Sequence, residues 1–287
     1  MKYNIIIPVA TKDAFFVHRT IKYIQEYLHD VDKIYVISNK KNNVILNRIP
    51  KRFNNVVILD ENNIIDGLSF SAVKESLRRF GADRITGWYF QQFIKLGFAL
   101  TSYASQFYMS WDADTLPLSE IPFEKDGKIY FDYKKEYHKP YFETINNLLG
   151  LKKEFEHSFI AEHMMFEKEY VLQMISDINR NGASGFTWWE KIIDACDFSE
   201  SLNSFSEFET YGTYVYSKNR DHMIFRQLST FRKGGMICGR LISDNKIKDL
   251  SFDLDTVSFE LRDMPCFPLN IGQYLYRIAI KMISKLL

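Results

Sequence analysis

The sequence predicts an α/β protein with a mixed, mainly parallel sheet flanked by helices. Between residues 3 and 102, short apolar runs alternate with segments of helical apolar spacing, as a parallel sheet with crossover helices requires. The first run, Tyr3 to Val9, lacks an alternating polar face, which is typical of a strand buried on both sides. A later run ends directly at two aspartates. Polar side chains are therefore expected where such sheets bind ligands, beyond the carboxyl ends of the strands.

The N-terminal elements follow one another as strand, helix, strand and strand. Tyr3 to Val9 is the first strand, and apolar residues at helical spacing from 15 to 28 predict the helix after it. Lys33 to Ile37 and Asn55 to Leu59 are predicted as the next two strands. No glycine-rich dinucleotide motif follows the first strand, so a dinucleotide is not expected. The polar residues expected at the ends of these strands are Thr11, Asp13, Ser38 and Asn39.

The most informative stretch follows the predicted strand from Gln106 to Trp111. That strand ends at Asp112 and Asp114, and Pro117 closes the turn beyond them. Two carboxylates one residue apart suit a hard divalent cation, Mn²⁺ or Mg²⁺, for which a substrate's phosphates supply further ligands. The alternative is an ordinary acidic turn at a strand end, where aspartate is common.

Composition excludes several classes of protein. With 287 residues, 46% of them hydrophobic and 25% charged, the chain is globular and can bury one large core or one core plus a smaller lobe. A net charge of +1 gives no reason to expect nucleic acid as a partner. Cys196, Cys238 and Cys266 are widely spaced and odd in number, which fits neither a disulfide framework nor a zinc site. We therefore expect a reducing, cytoplasmic setting.

A second informative segment runs from Arg84 to Leu96 and leads into a helix predicted to end at Ser102. Phenylalanine and isoleucine form its buried stripe, while cationic, amide and indole side chains lie largely elsewhere. A helix N-terminus with nearby cations suits phosphate, and an aromatic ring there can stack on a base or sugar. The alternative is a packed helix with a solvated polar edge. The candidate binding residues in this segment are Arg84, Trp88, Gln92 and Lys95.

These segments together carry a resemblance to a known family. The first strand with Ile7-Pro8-Val9, the segment Gly87 to Leu96 and the motif Trp111-Asp112-Ala113-Asp114 resemble nucleotide-sugar-dependent glycosyltransferases of the GT-A fold. More narrowly, they are similar to a bacterial group of DUF6492-like sequences that builds surface polysaccharides such as lipopolysaccharide. The resemblance covers residues 1 to 235, and the Trp-Tyr-x-Gln-Gln-x-x-Lys-Leu pattern is its most specific part.

The resemblance implies a GT-A-like, Rossmann-like fold and an enzyme that transfers a hexose from a nucleotide diphosphate sugar to a glycan or lipid-linked acceptor. Its Asp-x-Asp motif implies a divalent metal on the donor's diphosphate. Asp114 is then the main metal ligand, and Asp112 is shared between metal and ribose. The donor site implied in this way comprises Pro8, Thr11, Ser38, Asn39, Arg84, Trp88, Gln92, Lys95, Trp111 and Asp112.

The second half of the chain supplies elements expected on the acceptor side. Lys128 to Asp132 is predicted as a strand, and Tyr141 to Leu149 as a short helix. The apolar run from Phe155 to Phe166 is predicted as a further core strand, although it contains Glu162 and His163. Buried polar groups need a partner or a function, so His163 is either an acceptor-site residue or a satisfied structural histidine.

Aromatic residues further along are candidates for acceptor binding. Trp188 and Trp189 offer an aromatic platform, since sugars pack their apolar faces on rings, and Tyr211 offers another ring. The alternative is that the tryptophans belong to the core, because tryptophans inside a helix are more often buried there than exposed to a ligand.

Glu207 and Glu209 begin a helix predicted within Phe205 to Val215. Inverting sugar transfer needs a carboxylate base on the acceptor hydroxyl, and in the resembled family that base commonly begins a helix. Glu207 is therefore the first choice of base and Glu209 the second. Ser206 followed by Glu209 also matches a capping box, which is the structural alternative. His222 is a candidate third metal ligand.

The last predicted element is an amphipathic helix from Asn270 to Leu287. Apolar residues line one of its faces, and Arg277, Lys281 and Lys285 add positive charge that no acidic residue offsets. Such a helix binds a membrane surface, here the inner face of the cytoplasmic membrane, or it docks on the domain or on a second subunit of a homodimer.

The expected organisation is one catalytic domain over residues 1–265 followed by the helical segment 266–287. Within the domain, residues 1–118 are expected to bind the donor and residues 119–265 the acceptor. Two other functions stay open. A nucleotidyltransferase shares the sheet and the metal chemistry, although the glycine-rich basic loop it needs is missing after the first strand. A non-catalytic sugar-binding or scaffold protein would bind a nucleotide sugar without turnover.

Overall fold

The structure is a computed structural model, and it describes residues 1–180, 182 and 184–287. It is mixed α/β, with a mainly parallel central sheet flanked by helices, which confirms the predicted fold class. Its contacts divide the chain into two units. Unit 1 consists of Met1–Leu59, Trp111–Phe123 and Leu228–Leu287, and unit 2 consists of Asp60–Ser110 and Glu124–Gln227.

The regular elements are numbered in chain order. The strands are β1 (Tyr3–Val9), β2 (Val31–Ser38), β3 (Val56–Asp60), β4 (Phe107–Trp111), β5 (Thr115–Pro117), β6 (Glu124–Lys125), β7 (Lys128–Asp132), β8 (His163–Glu167), β9 (Met223–Arg226), β10 (Thr230–Phe231) and β11 (Thr256–Ser258). The helices are α1 (Val17–Tyr27), α2 (Asn43–Leu46), α3 (Phe70–Arg78), α4 (Thr86–Gly97), α5 (Lys139–Leu149), α6 (Lys168–Arg180), α7 (Trp188–Ala195), α8 (Glu207–Asn219), α9 (Gly234–Cys238), α10 (Asp244–Leu250) and α11 (Leu269–Leu286).

Parallel pairing of β1 with β2 organises the N-terminal part of unit 1. All seven residues of β1 are buried, as its apolar composition on both faces requires. The register sets Val9 beside Ser38 at the carboxyl ends of the two strands. The hydroxyl of Ser38 donates a hydrogen bond of 2.6 Å to the carbonyl of Val9, which joins these ends. In the same sheet β3 lies beside β2.

A second, smaller sheet of unit 1 holds β5, β11 and β10. Antiparallel pairing of β5 with β11 sets Thr115 opposite Ser258, and their hydroxyl oxygens are 2.7 Å apart. Leu116 and Val257 are completely buried and pack with Phe259 in an apolar cluster. Because β5 begins one residue after the acidic pair, this packing fixes the far end of the acidic turn.

In unit 2, β4 lies beside β8, and β7 forms a separate sheet with β6 and β9. Parallel pairing of β7 with β9 sets Asp132 opposite Arg226. The core around α4 is aromatic, because the ring of Phe93 packs within 6.1 Å of the rings of Trp189 and Phe205. This core connects α4 with α7 and with the start of α8.

One predicted strand is wrong over most of its length. The apolar run from Phe155 to Phe166 was expected to form a single core strand, but β8 begins only at His163. Before it, Ser158 forms an isolated bridge with Lys134, and Phe155 stacks on Phe159 and Phe225 at 4.9 and 4.5 Å. The apolar side chains here pack as an aromatic cluster, and hydrophobicity alone therefore predicted burial without predicting a strand.

Helix α11 has one buried side and one exposed side. Gln273 and Ile280 are buried, whereas Leu275, Met282 and Leu286 are more than half exposed. Within the described ranges, no helix combines the length and the apolar character that crossing a bilayer requires.

Candidate functional site

The acidic turn between β4 and β5 belongs to unit 1 and is held by backbone contacts. The indole Nε1 of Trp111 donates to the carbonyl of Thr115 at 2.8 Å, and the N–H of Thr115 donates to the carbonyl of Asp112 at 3.2 Å. The hydroxyl of Thr20 on α1 donates to the carbonyl of Ala113 at 2.6 Å. The turn is thereby fixed on both sides of the two aspartates.

A buried arginine joins this turn to the residues after β1. The Nη2 atom of Arg240 lies 2.5 Å from Oδ1 of Asp13 and 3.5 Å from Oδ2 of Asp114. Its Nε donates to the carbonyl of Phe259 at 2.6 Å, and its Nη1 donates to the carbonyl of Lys12 at 3.1 Å. The side chain of Arg240 is 0% exposed, so its guanidinium is a fixed structural cation inside the acidic cluster.

The electrostatics of the turn favour a further cation. Burial raises the pKa of the Asp114 carboxyl, and the neighbouring Asp13 and Asp112 raise it further, while Arg240 and Lys12 act in the opposite direction. The resulting pKa is about 7. Burial and the two neighbouring carboxylates thus disfavour the ionised form of Asp114, and a bound metal ion would stabilise that form.

The donor set of the turn fits Mg²⁺ or Mn²⁺ that binds together with a diphosphate. Carboxylate oxygens are hard ligands, and these ions need only one or two protein carboxylates when a substrate's phosphates complete the coordination. Asp112 and Asp114 can supply these carboxylates, whereas Asp13 is held closely by Arg240, at 2.5 Å compared with 3.5 Å for Asp114. Within residues 1–180, 182 and 184–287, no group of three or more His, Cys, Asp or Glu is arranged to hold a metal ion by itself.

The other donor candidates of unit 1 lie at or near the ends of β1 and β2. Pro8 is inside β1, where it pairs with Ile37. Ser38 is buried and binds the carbonyl of Val9, while Thr11 and Asn39 are half-buried. Of these predicted donor residues, Thr11 and Asn39 are therefore the two whose side chains keep access to solvent.

The four candidates in and before α4 belong to unit 2 and divide into two pairs. Arg84 is exposed and Trp88 is half-buried, whereas Gln92 and Lys95 are buried. The Oε1 atom of Gln92 accepts the N–H of Glu207 at 2.9 Å, and Nζ of Lys95 lies 2.8 Å from Oε1 of Glu207. The most family-specific segment of the sequence thus holds the first residue of α8.

The two candidate bases have different environments. Glu207 is paired with a buried ammonium group, that of Lys95. Glu209 accepts hydrogen bonds from the hydroxyl of Ser158 and from the N–H of Phe159. Burial raises the pKa of Glu209, and these hydrogen bonds only partly oppose the effect. Half of the predicted capping box is present, because the Ser206 hydroxyl accepts the N–H of Glu209 at 3.3 Å, whereas the Glu209 carboxylate binds Ser158 and Phe159 instead of completing the box.

The histidine candidates each bind an acidic residue of unit 2. Nε2 of His163 lies 2.8 Å from Asp132, whose two oxygens also accept hydrogen bonds from Arg226 at 2.7 and 2.8 Å. Burial raises the pKa of the Asp132 carboxyl, but the hydrogen bonds from Arg226 and His163 outweigh it and lower that pKa to about 2. Nε2 of His222 lies 3.1 Å from Glu167. Both histidines belong to unit 2, whereas Asp112 and Asp114 belong to unit 1.

The aromatic candidates for acceptor binding are buried in unit 2. Trp188, Trp189 and Tyr211 are 6%, 3% and 2% exposed. Both tryptophans pack on Phe93, and the hydroxyl of Tyr211 accepts the N–H of Glu167 at 2.8 Å. In the described structure their rings contact other side chains of the protein core.

Arg240 is the site residue that sequence reasoning missed. It follows Gly239 in the loop after α9 and lies outside any recognisable motif. Its position becomes meaningful only when the fold sets it against Asp13 and Asp114. A single arginine in a loop has no sequence pattern around it that would identify it as a site residue. Asp13, by contrast, is predicted as a site residue because it lies just after the first strand.

A family model described as a family of unknown function, DUF6492, matches residues 1–236. No curated protein matches the chain. The solved structure of an active-site mutant of LgtC matches with a TM-score of 0.50 and 9% identity over 96% of this chain and 95% of that chain.

Two further solved structures are similar. The apo structure of the bifunctional glycosyltransferase WbbM matches with a TM-score of 0.50 and 11% identity over 96% of this chain but only 52% of the WbbM chain. The galactosyltransferase LgtC in complex with donor and acceptor sugar analogues matches with a TM-score of 0.49 and 10% identity over 97% of this chain and 95% of that chain. At these identities the two matches with a TM-score of 0.50 show a shared fold alone, which is the fold that the GT-A resemblance predicts.

Proposed function

This chain belongs to DUF6492, a family of unknown function, and we propose that it is a metal-dependent glycosyltransferase acting on a nucleotide diphosphate sugar. The acceptor is a glycan or a lipid-linked sugar. The observation that carries the proposal is the acidic turn of unit 1, in which the carboxylates of Asp112 and Asp114 stand one residue apart directly after β4, and Asp114 lies 3.5 Å from the buried Arg240. The fold supports the proposal as well, because the turn follows the carboxyl end of β4 in the central sheet, where such sheets bind their ligands.

On the donor side, each residue has a distinct task in this proposal. Asp112 and Asp114 would hold Mn²⁺ or Mg²⁺, and the ion would supply positive charge next to the nucleotide diphosphate leaving group. Arg240 fixes the carboxylates of Asp13 and Asp114, so that the turn keeps one conformation before substrate arrives. Thr11 and Asn39 bind the nucleotide through side chains that are accessible to solvent.

On the acceptor side, we propose inverting transfer with Glu207 as the base and Glu209 as the alternative. Glu207 stands in the first turn of α8, and its ion pair with Lys95 fixes the carboxylate. It can remove a proton from the acceptor hydroxyl only if it gives up part of that contact. Burial raises the pKa of Glu209, which suits a base, but its carboxylate is bonded to Ser158 and Phe159.

The biological setting in this proposal is the synthesis of bacterial surface polysaccharide, such as lipopolysaccharide, on the inner face of the cytoplasmic membrane. The exposed apolar side of α11 and its cations Arg277, Lys281 and Lys285 support attachment to that surface. A lipid-linked acceptor would lie in the same surface.

The proposal is tested by incubating the purified chain with a panel of nucleotide diphosphate sugars, with and without Mn²⁺. We expect one donor to release its nucleotide diphosphate slowly through hydrolysis and rapidly when an acceptor glycan is added. Binding of a nucleotide sugar without any turnover would instead identify a sugar-binding module. Release of pyrophosphate from a nucleotide triphosphate and a sugar phosphate would identify a nucleotidyltransferase.

A further inference from the structure

A cavity of about 510 Å³ lies in unit 1 beside the C-terminal end of α11. Apolar side chains form most of its wall, and they come from the segment before α1, from α2 and the loop after it, and from α11. Its volume falls within the range of roughly 300–1,000 Å³ that is typical of small-molecule sites. The apolar residues that line it include Phe15, Ile45, Ile49, Phe53 and Ile283.

The same cavity has a cationic edge. Arg48 and Arg52 line it together with His18, and both arginines are exposed to solvent. Unlike Arg240, neither of them forms an ion pair with an acidic residue of the described chain. An apolar wall with two unneutralised guanidinium groups at its edge matches a ligand with an apolar body and an anionic head.

The segments that build the cavity are strongly basic. Residues 40–53 contain five Lys or Arg and no Asp or Glu, and residues 264–287 contain three Lys or Arg and no Asp or Glu. The whole chain has a net charge of only +1, so positive charge is concentrated in these two segments. A surface of this kind attracts anionic lipid headgroups.

Exposed apolar residues surround the cavity and continue along α11. Val44 lines the cavity and is 75% exposed, and Leu286 at the end of α11 is 85% exposed. Leu275 and Met282 extend the exposed apolar face along the helix, whose opposite side buries Ile280. Apolar faces flanked by cations are typical of helices that lie in the membrane interface.

We propose that this part of unit 1 is a binding site for an anionic membrane phospholipid, with one acyl chain in the cavity and the phosphate on Arg48 and Arg52. The exposed face of α11 then lies in the headgroup region beside the bound lipid. A defined site of this kind gives selectivity for anionic headgroups, which an amphipathic helix alone provides only weakly. The inference does not depend on the transferase activity and would hold for a catalytically inactive chain.

The test measures binding of lysophosphatidylglycerol to the full chain by calorimetry, below the concentration at which the lipid forms micelles. We expect saturable binding of one lipid per chain and much weaker binding of lysophosphatidylcholine. The double variant Arg48→Gln/Arg52→Gln should bind about thirtyfold more weakly, which corresponds to two contributions of about 1 kcal/mol each. The matched control Lys40→Gln/Lys41→Gln removes two exposed charges of the same basic segment, both outside the cavity wall. Its affinity for lysophosphatidylglycerol should fall less than threefold.

A second variant tests the cavity itself. Ile45→Trp fills the apolar space without changing the charge, and it should weaken lysophosphatidylglycerol binding at least tenfold while circular dichroism shows an unchanged fold. If this variant does not fold, the two charge variants still decide the question. Equal losses in both double variants would overturn the proposal in favour of diffuse charge attraction. Absence of saturable binding, together with a lipid-independent dimer that Leu286→Asp dissociates, would assign the surface to a second copy of the chain.

Discussion

The guanidinium of Arg240 lies 2.5 Å from Asp13 and 3.5 Å from Asp114, so one buried cation holds two carboxylates that come from different parts of the sequence. Removing a partner of a buried ion pair leaves an uncompensated charge, which costs about 3–5 kcal/mol. This relationship makes Arg240 a residue on which the geometry of the acidic turn depends.

We therefore expect Arg240→Met to lower the free energy of unfolding by about 3–5 kcal/mol in urea titrations. Arg240→Lys should lower the free energy of unfolding by less, because it keeps the positive charge. It should still lower it, because the hydrogen bonds to the carbonyls of Phe259 and Lys12 are lost. Arg262→Met is the control, since Arg262 is 81% exposed and its ion pair with Glu260 contributes at most about 1 kcal/mol. Equal effects of Arg240→Met and Arg262→Met would contradict the structural role of Arg240.

The ion pair between Lys95 and Glu207 gives a second prediction about stability. Both side chains are buried, so Lys95→Met should destabilise the fold by about 3–5 kcal/mol through the unpaired carboxylate of Glu207. Adding Glu207→Gln removes that charge and should recover part of the loss, which a double-mutant cycle measures. Strictly additive losses would show that the two groups do not interact as the structure indicates.

The stability of unit 2 should depend on pH through Asp132. The ordinary pKa of this carboxyl is 3.8, and in the folded chain it falls to about 2. Burial raises the pKa, but the hydrogen bonds from Arg226 and His163 outweigh that effect. Because the pKa is lower in the folded than in the unfolded chain, the ionised carboxylate stabilises the fold at pH values above the unfolded pKa. That contribution is lost as the pH falls from about 4 through about 2. Its size is roughly 2–3 kcal/mol.

Asp132→Asn removes this titration. The free energy of unfolding of the variant should therefore change less between pH 5 and pH 2 than that of the natural chain, when both are measured in urea. Asp66→Asn, at an exposed carboxylate, is the control and should keep the natural slope. An unchanged slope in Asp132→Asn would show that other carboxylates carry the acid dependence.

Local features of the sequence were sufficient for much of the fold. The strand β1 and the turn at Asp112 and Asp114 could be predicted because apolar composition and the following polar residues mark them directly. The run from Phe155 to Phe166 differs, because its composition does not decide its backbone conformation. Burial followed from its composition, but the choice between strand and irregular packing depended on partners such as Phe225 that are distant in sequence.

The partners of charged residues could not be predicted in the same way. The pairs of Arg240 with Asp13 and of Lys95 with Glu207 join residues that lie far apart in the chain. Only the fold brings such residues together, and neither Arg240 nor Glu207 has neighbours in sequence that identify its partner. The same holds for the lipid cavity, whose wall combines residues near 15, near 48 and near 285.

The roles of the two glutamates at the start of α8 can be separated by isosteric variants. If Glu207 is the base, Glu207→Gln should lower the rate of transfer at least about a hundredfold, while the affinity for the donor stays nearly unchanged, because the base acts on the acceptor. Transfer by Glu209→Gln should then be only modestly reduced. Normal transfer by Glu207→Gln and loss of transfer in Glu209→Gln would reverse the assignment.

Metal dependence is tested most directly by measuring the release of nucleotide diphosphate from the preferred nucleotide sugar, with and without Mn²⁺, for the natural chain, Asp114→Asn and the control Asp66→Asn. We predict metal-dependent release by the natural chain and by Asp66→Asn. The rate of release by Asp114→Asn should be lower at least about a hundredfold, which corresponds to roughly 2.7 kcal/mol of transition-state stabilisation, while the variant remains folded. Two results would contradict a metal-dependent role of Asp114: release by Asp114→Asn as fast as by the natural chain at saturating Mn²⁺, or full activity of the natural chain in the presence of a chelator.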